Sequence, residues 1–327
     1  MTFDEKYQSL IEHLPSRVTP SIIPSQHLKH NICDFIEIYT FFYYDKVSKA
    51  EILDLLSDYN FSFLDIEEDS LTEGELDDIK ESVINLLFDA LEYRASILDT
   101  KYPFTLENNN LIVLKDNLSV EQKVYLSLLF SSFLSIFNEF LADLTSEFEH
   151  IVYISLKKFF PIQTVIKQFG KNSDYRGTAQ AKIKALGRDL NIHIRDEEVN
   201  QVMGNQEKGL DIIAWIPFSD KNTNMLIYLF QCACGKDWIK KFSETKRYLA
   251  YYDFYKLQPM SVMAISYGLN MMGEFEKSDE IIASESLFFD RLRIIEFFDE
   301  NIIPNINDLN SIKLIDKLLK DKIELGL

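Results

Sequence analysis

Asp211 and Gln231 are the residues whose type and placement first suggest chemistry. Each sits in a stretch that reads as a strand. "GLDIIAWIPF" rises out of a turn with Asp211 at its start, and "NMLIYLFQCA" runs through five apolar or aromatic residues, Leu226 to Phe230, before reaching Gln231. If the two strands form a hairpin through "IPFSDKNTN", the early residue of one lies beside the late residue of the other. Two oxygen ligands on neighbouring strands at a sheet edge make half a site for a hard cation. A divalent ion there, Mg2+ or Mn2+, would polarise a phosphoryl oxygen and generate hydroxide.

Other candidate chemistries are weaker. Cys232 and Cys234 form a C-x-C without a second pair nearby, so they read as small buried apolar residues and not as a zinc site. His27, His30 and Cys33 recur every three residues on one helical face with no obvious fourth ligand, and read as structural. The chain contains no G-x-S-x-G, no phosphate-binding G-x-x-x-x-G-K-[ST] and no G-x-G-x-x-G. A serine-type hydrolase, a P-loop ATPase and a dinucleotide enzyme therefore lack support.

The elements that would position Asp211 and Gln231 follow from periodicity. In residues 1–145, "KAEILDLLSDY", "EGELDDIKESVINLLFDALEYRASIL" and "SVEQKVYLSLLFSSFLSIFNEFLADL" space apolar residues at three and four, predicting a mostly α-helical domain. Ser119 before "VEQ" and Ser70 with Glu73 look like helix starts, Pro20 and Pro24 mark an extended entry, and "ENNNLIVLKDN" predicts a loop, a strand and a loop. From residue 146 to 327 the texture changes. Helices are predicted at "SEFEHIVYISLKKFF", ended by Pro161, and at "RGTAQAKIKALGRDL". Strands are predicted at "NIHIRDEEV", "GLDIIAWIPF", "NMLIYLFQCA" and "SVMAISYGL", a long helix at "DWIKKFSETKRYLAYYDFYKL", and another helix at "ESLFFDRLRIIEFFDE". That order predicts an α/β domain with helices flanking a mixed central sheet.

On these residues the chain resembles the PD-(D/E)xK restriction-endonuclease-like superfamily. In that pattern a strand bearing Asp is followed by a strand bearing Glu or Gln, then any residue, then Lys. "KGLDIIAW", "QCACGKDWIKK" and "FFDRLRI" look like one uncharacterised branch of it, and the resemblance covers roughly residues 146–300. It implies a metal-dependent nuclease acting on DNA, with RNA as an alternative substrate, in a bacterial antiviral defence setting. Asp211 and Gln231 would be metal ligands, with a third acidic ligand on the first helix of the core. Glu149 is the choice for that ligand, with Glu147 and Gln180 as lesser options. The sequence departs from the pattern where the lysine belongs, because that position is Ala233. Lys236 and Lys240 are the candidates to replace it, near a helix start whose dipole would favour a phosphate. Without a replacement cation the domain would be a catalytically inactive interaction component. Asp290–Arg291 reads as a structural ion pair, with a phosphate contact by Arg291 as the lesser reading.

Charge divides the chain in the same way. Residues 1–150 carry 10 Lys/Arg against 28 Asp/Glu, residues 151–250 carry 16 against 10, and residues 251–327 carry 8 against 14. A polyanion site is thus expected in the second domain, where Lys240, Lys241, Lys246 and Arg247, interleaved with Trp238 and Tyr248, suit backbone phosphates. The acidic first domain would repel nucleic acid and is expected to regulate the nuclease or dock a protein partner. Three cysteines make no disulfide framework, and "MTFDEKYQSL" lacks an apolar signal core. The longest uncharged apolar run, Val124 to Phe137, is 14 residues and too short to span a bilayer, so a cytoplasmic protein is expected.

Overall fold

A computed structural model describes residues 1–23, 29–43, 46–57, 72–203, 209–220, 222–254, 257–302 and 305–325. Helix α1 (Phe3–Arg17) opens with Thr2 and Glu5 capping each other's backbone N–H groups. Next come α2 (Lys29–Tyr43), the strand β1 (Lys46–Ser48), α3 (Lys49–Ser57) and α4 (Glu73–Leu98). The reciprocal cap of α4 is made by Thr72 and Glu75; Ser70, expected in that role, lies outside the described residues, as do Pro24 and His27. Strands β2 (Phe104–Glu107) and β3 (Leu111–Leu114) form a hairpin whose turn places Asn108 and Asn109 at φ of 52° and 50°. Asparagine tolerates that left-handed region, which explains the run of three. Helix α5 (Val120–Ser132) starts at Ser119 as expected, with Gln122 completing the cap.

The predicted continuous helix beyond α5 is interrupted. The Ser131 and Ser132 hydroxyls donate to the carbonyls of Ser127 and Leu128, and Ser132 also donates to Ser266 O at 2.9 Å. Side chains that bond back to the last turn weaken propagation. A new helix, α6 (Leu141–Phe159), begins after a short 3-10 turn and ends before Pro161.

The rest of the chain adds β4 (Val165–Gln168), α7 (Ala179–Asp189), α8 (Asp196–Asn200), β5 (Ile212–Trp215), β6 (Ile227–Ala233), α9 (Tyr248–Tyr251) and β7 (Met260–Ile265). It continues through β8 (Asn270–Met271), β9 (Glu274–Phe275), α10 (Ser278–Ser284), β10 (Leu287–Phe289), α11 (Arg291–Phe297) and α12 (Asn310–Leu325). The central sheet has five strands in the order β10-β7-β6-β5-β4. Pairing is antiparallel across β4, β5 and β6, and parallel across β6, β7 and β10. A mixed sheet flanked by helices is what the sequence predicts.

Three local expectations change. "NIHIRDEEV" is not a strand: only Ile194 bridges to Tyr252, and the acidic residues open α8, where negative charge suits a helix start. The long helix from Trp238 onward is two short 3-10 turns followed by α9, one turn long. "ESLFFDRLRI" is a strand and then a helix, because Asp290 leaves β10 and its side chain accepts from Arg293 N–H to cap α11. Asp290 and Arg291 are fully buried, so Arg291 has a structural role and is closed to phosphate. Strand β4 has no counterpart in the sequence reading.

The chain divides into two compact units. One comprises 1–144, 266–276 and 304–327; the other comprises 145–265 and 277–303. The first boundary falls inside α6, next to the expected 145/146 division. The later segments differ, since α12 packs on α5 and so joins the helical unit. In the second unit β6 separates two cores. Tyr228 and Phe230 meet Phe160 and Phe289 on one face. Ile227 and Leu229, with Ile213 and Trp215 opposite them, pack with Ile183 and Tyr248 on the other.

Candidate functional site

The second apolar face of β5 and β6 ends in polar residues. Trp215 and Ile213 on β5, and Ile227 and Leu229 on β6, form one stripe, and period-two alternation continues it to Asp211 and Gln231. Register places them opposite each other: Ile212 pairs with Phe230, and Asp211 N–H donates to Phe230 O at 2.9 Å. The expected hairpin therefore brings the two together. Gln231 Nε2 donates to Asp211 Oδ2 at 3.0 Å, and Cys232 N–H donates to the same oxygen at 2.7 Å.

Asp211 Oδ1 faces elsewhere. After β4 the chain folds back so that Phe169 and Gly170 N–H both donate to Asp211 O. A Cβ on Gly170 would lie 2.9 Å from Asp211 Oδ1 and 3.4 Å from Glu149 Oε2. Helix α6 thus delivers Glu149 to the same point as Asp211, and the absence of a side chain at Gly170 leaves the space between them open. Glu147, two residues earlier on α6, is directed to a different side of that helix. The Gln180 amide donates to Asn200 O and Val202 O, a structural tie.

Electrostatics mark the pair. Burial raises the Glu149 carboxyl to about 7, reinforced by Asp211 and opposed by Lys171 and Lys241. Burial likewise raises Asp211 to about 6, opposed by the Cys232 N–H and Lys241 and reinforced by Glu244. Lys241 is therefore the cation that acts on both carboxylates. Lys236 and Lys240 are exposed, and Lys240 pairs with Asp237 at 2.7 Å. Ala233 is buried on the Gln231 face of β6.

Glu244, which the sequence reading did not single out, belongs to the same cluster. A Cβ on Gly209 would lie 2.6 Å from Glu244 Oε2 and 2.8 Å from Gln231 Oε1. Its segment reads as one amphipathic helix, which gives no hint that a 3-10 turn directs Lys241 and Glu244 inward. The oxygen donors are two carboxylates around Gly170 and, toward Gly209, an amide oxygen, Gln231 Oε1, that is buried and accepts no hydrogen bond. Hard, all-oxygen donors with an orphaned member and an open cradle fit a divalent cation such as Mg2+. Among the described residues, no three His, Cys, Asp or Glu side chains converge as a metal-holding group.

Other expectations resolve structurally. Trp238 and Tyr248 are 4% and 0% exposed. Trp238 packs on Phe242 and Phe288, and Tyr248 on Phe169, so neither can stack on a base. Cys232 and Cys234 are buried, and burial pushes the Cys232 thiol well up. His30 Nδ1 pairs with Glu276 at 2.7 Å, and the Cys33 thiol donates to Leu87 O. Set against protein-family models, curated proteins and solved structures, the chain matches none. No described helix is long and apolar enough to cross a membrane.

Proposed function

We propose that the second unit is a restriction-endonuclease-like, metal-dependent nuclease that hydrolyses phosphodiester bonds, with DNA as substrate and RNA as the alternative. The observation that carries this reading is the convergence of Asp211 and Glu149 on the open space at Gly170, with the Gln231 amide fixed to Asp211. Asp211 and Glu149 would hold Mg2+ or Mn2+, which when bound would supply Lewis acidity and an ionised water; Gln231, expected as a third ligand, turns its nitrogen and not its oxygen to Asp211. The remaining work falls to the chain. Asp211 is held in register by Cys232 N–H and the Gln231 amide. Lys241 supplies the positive charge that Ala233 cannot, stabilising charge as it develops on the phosphoryl oxygens. Water adds to phosphorus, the leaving oxygen takes a proton, and the products are an alcohol and a phosphomonoester.

Cleavage of linear and plasmid DNA, and of RNA, with Mg2+ or Mn2+ tests this, comparing wild type with Asp211→Asn. Loss of cleavage in the variant is expected; cleavage that survives the substitution removes the site.

A second reading draws on the exposure of Lys236 and Lys240 and on Ala233. In it the domain has lost catalysis and docks nucleic acid or a protein partner. Binding of DNA without turnover under any divalent ion would favour it.

A further inference from the structure

Gln231 stands between two carboxylates and can serve only one. Its nitrogen donates to Asp211 Oδ2 at 3.0 Å and to Cys232 O at 3.3 Å. Its oxygen, in a side chain 5% exposed, accepts no hydrogen bond and is directed to the point where Glu244 Oε2 also arrives, beside Gly209. Turning the amide over would move the conflict without removing it, because Oε1 would then oppose Asp211 Oδ2. An orphaned buried carbonyl is already unfavourable, and a facing carboxylate adds repulsion.

The backbone keeps this place open. Gly209 has φ of 93°, and a Cβ there would fall 2.4 Å from Glu244 Cβ. Only glycine permits both the turn and the approach. A carboxylate and an amide oxygen, with water completing the shell, form a donor set for a hard divalent cation.

We propose that Gln231 Oε1 and Glu244 hold a divalent cation of their own, separate from the one between Asp211 and Glu149. The inference rests on the metal-dependent reading of this site. It accounts for the lack of a three-carboxylate cluster, because the oxygens form two pairs joined by the Asp211–Gln231 hydrogen bond. It also adds to the positive charge that Lys241 brings to the face of β6 on which Ala233 supplies none. Glu244 would thus position charge beside Asp211 as a cation ligand.

The test is Mn2+ titration of the full chain without nucleic acid, by calorimetry and by electron paramagnetic resonance of free Mn2+. Wild type, Glu244→Gln, Asp211→Asn and the double variant are compared, with melting curves as folding controls. Two ions in wild type, one in each single variant and none in the double variant are expected. Two ions retained in Glu244→Gln overturn the inference. A single ion in wild type, lost with Asp211→Asn and kept in Glu244→Gln, overturns it while sparing the first site. A single ion lost only with Glu244→Gln supports this pair and overturns the assignment to Asp211 and Glu149. No binding in wild type overturns both, and the wild-type count does not depend on any variant folding.

Discussion

At the scale of single residues, Glu149 and Asp211 keep protons that an unfolded chain would have released. Their carboxyls rise from ordinary values of 4.5 and 3.8 to about 7 and about 6, mainly through burial. Asp211, Lys171 and Lys241 act on Glu149, and Cys232 N–H, Lys241 and Glu244 act on Asp211. The folded state therefore binds more protons between the two sets of values. In metal-free protein we expect stability to be highest near the ordinary carboxylate range and to fall as pH rises toward 7. Denaturant titrations at several pH values check this, and Glu149→Gln should flatten the dependence. Added Mg2+ should raise the melting temperature more at pH 8 than at pH 5.5, since the ion favours the ionised pair. Lysine substitutions separate the candidates for the missing charge. Lys241→Ala should lower cleavage by about 10²- to 10³-fold, whereas Lys236→Ala and Lys240→Ala should change it by about twofold or less. Equal losses from all three would mean that no single ammonium is positioned.

At the scale of elements, what could be read in the sequence was whatever repeats. The hairpin of β5 and β6 announces itself through two apolar runs and a polar turn, and it placed Asp211 beside Gln231 without any structure. Caps such as Ser119 with Gln122 were legible for the same reason, because the signal is local. Strand β4 was not: its residues are only partly buried, it is four residues long, and it owes its existence to pairing with β5. The segment carrying Lys241 and Glu244 has helical spacing, yet the chain resolves it into 3-10 turns to bury Trp238 and Thr245. Gly170 could not be recognised, and Gly209 stood out only as a member of "KGLDIIAW", since the role of each is defined by what folds against it. Substituting them should part stability from function. Gly209→Ala meets both a left-handed φ of 93° and a contact at 2.4 Å. It should cost about 1–3 kcal/mol, read as a lower denaturant midpoint. Gly170→Ala keeps an ordinary backbone but crowds Asp211 Oδ1 at 2.9 Å. Its expected effect is weaker Mn2+ binding and cleavage, with a melting temperature close to wild type.

At the scale of the whole molecule, charge divides between the folded units as it divides along the chain. Residues 1–144, 266–276 and 304–327 together carry 14 Lys/Arg against 32 Asp/Glu, while 145–265 and 277–303 carry 20 against 20. Cutting the chain after residue 145 would not isolate the second unit. The fragment 146–327 would carry α12 without its anchors: Tyr7, whose hydroxyl donates to Asp321, Lys123, paired with Asp316, and Asp143, which accepts from Asn310. We expect that fragment to lack a cooperative melting transition, and co-expressed 1–145 to restore one. Regulation by the acidic unit is therefore better tested in the full chain, by salt. Each phosphate neutralised on duplex DNA contributes about 0.9 to the slope of log affinity against log salt. Residues 151–250 hold 16 Lys/Arg over 10 Asp/Glu, an excess of six positive charges that already allows for ion pairs within the segment such as Lys167–Asp189 and Lys184–Asp196. The full chain should then bind duplex DNA with a slope of about 2 to 4 in magnitude, measured by fluorescence anisotropy with Ca2+ in place of Mg2+. A slope of about 8 or more would need more neutralised phosphates than the net positive excess of this segment, and would extend the nucleic-acid surface beyond it. A slope in the lower range, with affinity rising when acidic residues of the first unit are replaced by their amides, would assign that unit the repulsive role its charge implies.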